Sequence, residues 1–207
     1  MRTKTLLLTA ALGVAGVASS MAQVYSVNAV GYVNLTIPKG FSIVANPLNA
    51  SANTISALFA SAPDGTTIYK YNNATGKYAI NSFSFGQWDN ASDTLTPGQG
   101  AFISVLSTYT NTFVGEVMQG SLTNAIAKGF SIISSQVPQT GKLSTDLGYA
   151  AKEGDTVYKF SNATSKYVQS NFSFGSWDTE PTINVGEGFF ISTTAATVWT
   201  RTFSTQQ

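Results

Sequence analysis

Thr67-Ile-Tyr-Lys-Tyr-Asn-Asn-Ala-Thr-Gly-Lys-Tyr78 and Thr156-Val-Tyr-Lys-Phe-Ser-Asn-Ala-Thr-Ser-Lys-Tyr167 read as two copies of one β-hairpin, 89 residues apart. In each, two runs rich in β-branched and aromatic residues flank a short polar connection, the local signature of a hairpin. Working outward, Gly40-Phe-Ser-Ile43 returns as Gly129-Phe-Ser-Ile132, and Phe83-Ser-Phe-Gly-Gln-Trp-Asp89 as Phe172-Ser-Phe-Gly-Ser-Trp-Asp178, at the same offset. From Gly65 to Asp89, 15 of 25 positions are identical in the second copy, too many for chance. Gly98-Gln-Gly-Ala-Phe-Ile-Ser104 matches Gly186-Glu-Gly-Phe-Phe-Ile-Ser192 after the loss of one residue. The chain is therefore read as a tandem duplication, with its boundary between Met118 and Asn124. No Pro-, Gly- or Ser-rich linker separates the copies, so close packing is expected.

The remaining pattern is also β. Val33, Leu35 and Ile37 alternate with Tyr32, Asn34 and Thr36, the period of a half-buried strand. Ala101–Val105 and Phe189–Ser192 read as interior strands, and Thr110–Met118 and Thr197–Phe203 close the two copies. One short helix is expected over Asn53–Ala60 with Asn53 as its cap, and at most a weaker turn over Leu143–Ala150. Ser165 stands where the first copy has Gly76, which argues against a need for positive φ at that turn. Phe83 and Phe85 are expected on one strand face, with Gly86 allowing a bend. The expected class is all-β, as duplicated β-sandwich or barrel-like units.

The first 22 residues read as a secretory signal. Met1-Arg-Thr-Lys4 is positive, Thr5–Ala18 is apolar or small, and Ser-Ser-Met-Ala22 supplies a small-x-small cleavage pattern. The apolar run of 14 residues is short of the ~20 that span a bilayer. The organisation expected is a signal peptide at 1–22, a leading strand and first repeat at 23–118, and a second repeat at 119–207. After cleavage, 9 basic side chains face 10 acidic ones. That balance gives no basic patch for nucleic acid, and no second long apolar run offers a membrane anchor. The chain has neither Cys nor His. Disulfides, thiolate catalysis and histidine-based triads are thereby excluded.

The best-marked candidate ligand residues are Trp88, Asp89, Trp177 and Asp178. An exposed indole stacks on sugar rings and a neighbouring carboxylate accepts from sugar hydroxyls. The competing reading places the aromatic cluster in the core and the Asp at a turn. Tyr69, Lys70 and Tyr78, with Tyr158, Lys159 and Tyr167, are read as hairpin stabilisers. Glycoside hydrolysis needs two acids across a cleft. Among Asp89, Asp93, Glu116, Asp178, Glu180 and Glu187, only Asp89/Asp178 repeats with its context. Asp64-Gly-Thr-Thr and Glu153-Gly-Asp-Thr read as turns rather than calcium loops, and the Gly-x-Gly pairs lack the rest of a dinucleotide fingerprint. No cofactor and no catalytic residue is expected.

Gly40-Phe-Ser-Ile-Val-Ala-Asn-Pro47, followed by Ile68-Tyr-Lys-Tyr71, Trp88 and Gly98-Gln-Gly-Ala-Phe-Ile103, resembles a repeat of exported bacterial β-rich proteins without characterised activity. The opening Val24-Tyr-Ser-Val-Asn-Ala-Val-Gly-Tyr-Val33 looks like that of small secreted proteins of Verrucomicrobia-like bacteria. The second copy departs from the pattern, with Ser134-Ser-Gln136 in place of Ala45-Asn-Pro47. The resemblance implies export and a β fold and identifies no ligand. The expectation is a non-catalytic periplasmic, cell-surface or extracellular protein acting in self-association or adhesion. Its partners would be itself or a cell-surface polysaccharide. The alternative is a carbohydrate-binding module using the repeated Trp/Asp positions.

Overall fold

The computed structural model describes residues 29–205. The signal segment and residues 23–28 of the leading stretch lie outside the described residues. Among the described residues strand accounts for 53% and helix for 2%, with several antiparallel sheets and no closed barrel, so the class is all-β and the barrel alternative falls. No helix among the described residues is long and apolar enough to cross a membrane.

The first repeat comprises β1 (Val30–Ile37), β2 (Gly40–Ala45), α1 (Ile55–Leu58), β3 (Thr67–Asn72), β4 (Lys77–Ser84), β5 (Gln87–Trp88), β6 (Gly100–Val105) and β7 (Tyr109–Glu116). Its sheet has the order β2-β6-β3-β4-β5, and β1 pairs with β7 as a separate antiparallel ribbon. Between sheet, ribbon and α1 lies a core that includes Ile37, Ile55, Phe59, Ile68, Trp88, Ile103 and Phe113. Strand alternation builds it: Ile68 and Ile103 face inward on β3 and β6, and Ile37 closes the ribbon.

The second repeat follows the same plan with β8 (Gly120–Ile126), β9 (Gly129–Ile133), β10 (Gly141–Lys142), β11 (Thr156–Ser161), β12 (Lys166–Ser173), β13 (Ser176–Trp177), β14 (Thr182–Ile183), β15 (Phe189–Thr193) and β16 (Thr197–Phe203). Its sheet runs β13-β12-β11-β15-β9 and its ribbon is β16-β8, with a short β10-β14 ladder added. The two cores solve one packing problem with different residues. Phe59 meets Phe113 edge-on at 5.6 Å in the first, and Tyr149 meets Trp199 edge-on at 5.7 Å in the second. Asn111, where the second copy has Trp199, is buried and donates to Leu58 O.

Several local expectations are corrected. The cap of α1 is Thr54, whose side chain accepts from Ala57 N. Asn53 instead ties the preceding loop, accepting from Asn46 Nδ2 and Ala50 N. Over 143–150 a turn spans residues 143–147, as expected. Ser165 adopts φ +53°, close to the +66° of Gly76, so the turn keeps its left-handed residue even though glycine has gone. Phe85 does not share a face with Phe83. Phe83 pairs with Trp88 across a two-residue turn that has Phe85 at its tip.

The repeats clasp each other about a pseudo-twofold axis. Ala45 N donates to Gly186 O at 2.9 Å, and the equivalent Ser134 N donates to Gly98 O at 3.0 Å. Asn73 Nδ2 donates to Lys128 O and Phe130 O, while Asn162 Nδ2 donates to Lys39 O and Phe41 O. Each Gly-x-Gly loop thus covers the edge strand of the other repeat, removing an exposed sheet edge. A third core of Ile43, Phe102, Ile132 and Phe190 seals the contact.

The glycines set how closely the repeats approach. A Cβ on Gly188 would stand 2.7 Å from Ile43 Cγ2 and 2.9 Å from Val44 O. One on Gly100 would meet Ile132 Cγ2 at 2.6 Å but backbone only at 3.4 Å. Gly188→Ala is therefore expected to cost about 1–3 kcal/mol, and Gly100→Ala less, because a side chain yields more readily than backbone. Urea unfolding of the two variants checks the order.

Candidate ligand cleft between the repeats

Trp88 is 7% exposed and packs on Phe83 and Phe59 at centroid distances of 5.2 and 6.4 Å. Its Nε1 is buried without a partner. Trp177 is less buried, packs on Phe172 at 5.3 Å and donates from Nε1 to Ser144 Oγ at 2.9 Å. Asp89 Oδ2 accepts from Ser82 N, and Asp178 accepts from both the backbone N and Nδ2 of Asn171. Each Trp–Asp pair thus braces its own hairpin, and the rings are taken up by neighbouring side chains.

The hydrogen bonds from Asn171 and Thr179 hold the exposed Asp178 carboxyl below its usual range. Glu180 is also lowered. Partial burial opposes the shift, but donors from Thr145 and Ser144, with the charge of Lys142, outweigh it. A depressed folded-state pKa contributes stability above the unfolded carboxylate value of about 4 and loses it as pH falls further. The protection of the Thr145 and Asn171 amides, relative to the unprotected exchange rate at each pH, is accordingly expected to fall below that pH, which exchange measured at stepped pH checks.

The other acids are engaged elsewhere. Asp93 pairs with Lys70 at 2.6 Å and Glu187 with Lys159 at 3.1 Å. Among the described residues, no group of three acidic side chains is placed to hold a metal ion.

What the clasp does create is an aromatic cleft. Alternation sends Tyr69, Tyr71 and Phe102 to the sheet face opposite the first core, and Tyr158, Phe160 and Phe190 do the same in the second repeat. Phe102 and Phe190 form the floor, 6.0 Å apart and nearly buried. Rings interlock across the axis, with Tyr71 edge-on to Phe190 and Phe102 edge-on to Phe160, both at 5.3 Å. The more open rings are Phe41 (47%), Tyr78 (42%), Phe130 (44%) and Tyr167 (46%).

Two cavities result. One of about 500 Å³ is lined by Phe41, Tyr69, Tyr78, Phe102, Phe160, Ser165 and Tyr167. The other, of about 300 Å³, is lined by Tyr71, Tyr78, Phe130, Tyr158, Tyr167 and Phe190. Tyr78 and Tyr167 line both and therefore sit at the centre. Burial, then repulsion from Tyr167 and Tyr71, raises the pKa of Tyr78, and burial raises that of Tyr167. Both phenols stay protonated donors at neutral pH. The hydroxyls of Tyr69, Tyr71, Tyr78, Tyr158 and Tyr167 bond no protein group among the described residues.

The lining has no ionised side chain, so a charged ligand would be desolvated without compensation. A flat, neutral ligand bearing hydroxyls meets ring faces and free phenol hydroxyls together. The sequence pattern assigns the tyrosines to hairpin pairing and does not single out Phe41, Phe102, Phe130 or Phe190 as ligand residues. The signal was that β3 and β6 are apolar on both faces, which requires a second layer. Comparison with protein-family models, with curated proteins and with solved structures finds no match to this chain.

Proposed function

We propose that this chain is an exported, non-catalytic binding protein whose inter-repeat cleft holds a neutral glycan. The observation that carries this reading is the cleft: aromatic rings from both repeats, five tyrosine hydroxyls that bond no protein group among the described residues, and no ionised group in the lining. Export rests on the leader pattern at 1–22. The non-catalytic reading rests on the sequence's lack of His and Cys and on the absence of any carboxylate among the cleft residues. The carbohydrate function is thereby attached to the tyrosines and phenylalanines between the repeats instead of the Trp/Asp pairs.

Affinity electrophoresis through gels carrying neutral or polyanionic polysaccharides tests it. The protein is expected to be retarded by a neutral glucan or chitin-type polymer, with little dependence on salt, and not by a polyanion. Retardation by no neutral polymer, or retardation indifferent to loss of Tyr78 and Tyr167, overturns the reading. The second reading, self-association, is favoured by two exposed phenylalanines, Phe85 and Phe174, at the β4–β5 and β12–β13 turns.

A further inference from the structure

We propose that Phe85 and Phe174 are anchors of self-assembly, each seating its ring in the aromatic cleft of a second copy of this chain. The inference goes beyond glycan binding and needs only that the cleft be open.

The two residues occupy the tips of the β4–β5 and β12–β13 hairpins. Phe85 is 94% exposed and Phe174 is 99% exposed. Neither ring has an aromatic neighbour among the described residues. In both turns the two central residues have positive φ, +52° and +76° at Phe85-Gly86 and +52° and +75° at Phe174-Gly175. That pattern is a type I′ turn, whose first central position favours Asn, Asp or Gly and strains a bulky side chain. The fold has no use for a phenylalanine here and is strained by it twice. The copies diverge one residue on, at Gln87 and Ser176, and at the other hairpin, at Gly76 and Ser165. Both nevertheless keep the Phe. Strain held without a local benefit points to a contact outside the chain.

Both tips are fixed in place. Gly86 N donates to Asp64 Oδ1 at 3.2 Å, and Phe174 N donates to Glu153 Oε1 at 2.8 Å. A ring on a preorganised turn loses little freedom on docking.

The occupant is argued from chemistry and number. The cleft is neutral and aromatic, and its cavity of about 500 Å³ admits one more ring in edge-to-face packing. Two tips match two cleft halves, under the same pseudo-twofold relation. A near-neutral chain has little net repulsion to oppose association. A tip entering another copy's cleft is a heterologous contact, which propagates into chains unless it closes into a ring.

The test uses the full mature chain without glycan. Analytical ultracentrifugation from micromolar to millimolar concentration is run on the wild type and on a Phe85→Asn/Phe174→Asn variant. Asn suits the left-handed position, so the variant is expected to melt at the same temperature or higher while its association weakens at least about tenfold. A photo-crosslinking phenylalanine analogue at position 85 is expected to label peptides containing Phe41, Tyr78 or Tyr167 of another copy. A wild-type monomer at every concentration overturns the proposal, as do crosslinks confined to other surfaces. Flotation of that monomer with neutral phosphatidylcholine vesicles, lost in the Asn variant, would assign the tips to lipid instead. Failure of glycan binding alone leaves this result unaffected.

Discussion

Replacing Trp88 with alanine is expected to destabilise the chain by about 3–5 kcal/mol, the range for emptying a fully buried large aromatic site. Its ring packs with Phe59 and Phe83 in the core under α1, so the loss leaves a cavity that four helical residues cannot collapse to fill. The equivalent Trp177→Ala is expected to cost about 2 kcal/mol, because that ring is partly exposed. Phenylalanine variants separate packing from hydrogen bonding. Trp88→Phe forfeits no hydrogen bond, since Nε1 has no partner. Trp177→Phe abandons Ser144 and is expected to lose about 1 kcal/mol for the bond. Urea unfolding measures all four. A Trp88→Ala protein of near-native stability that no longer bound glycan would return the indole to the role of ligand platform.

The second large effect is on binding. Removing both Tyr78 and Tyr167 by alanine is expected to weaken glycan affinity by about 100-fold, from loss of two ring faces at the cleft centre. Each site is nearly half exposed, so the stability cost is expected to stay near 1 kcal/mol per substitution. Tyr→Phe at both positions keeps the rings and removes the hydroxyls, with an expected loss of about tenfold. Because both phenols have raised pKa values, binding is expected to hold through neutral and mildly alkaline pH. It should fall only as pH climbs past the ordinary tyrosine value of about 10. Isothermal titration of the variants, repeated across pH, checks the series.

The hairpins were legible because their signals are local. Tyr71 and Tyr78 face each other across β3 and β4, as pairing within one turn predicts. The duplication followed from offset alone, and the lack of a linker agrees with the observed clasp. The shared cleft was hidden because cross-strand pairing already explains a tyrosine on a hairpin. Apolar residues on both faces of a strand call for a second layer but do not say that the other copy supplies it. The reciprocal backbone bonds and the reach of Asn73 and Asn162 into the opposite repeats show that it does. The place of Trp88 turned on one residue of register. With Phe85 and Gly86 forming the turn, Trp88 falls opposite Phe83 and inside, whereas a bend at Gly86 alone leaves its direction open. The cap of α1 moved from Asn53 to Thr54 because Asn53 is engaged by Asn46, a buried loop residue whose partner lies seven positions away.

The central claim is that the two repeats jointly form one neutral cleft centred on Tyr78 and Tyr167. Its most direct test is an NMR titration of the tyrosine and tryptophan side chains with a neutral oligosaccharide. The account predicts that the Tyr78 and Tyr167 rings shift together along one saturation curve, while the indoles of Trp88 and Trp177 stay still. Shifts confined to the indoles, or no saturable shift at either tyrosine, would contradict it.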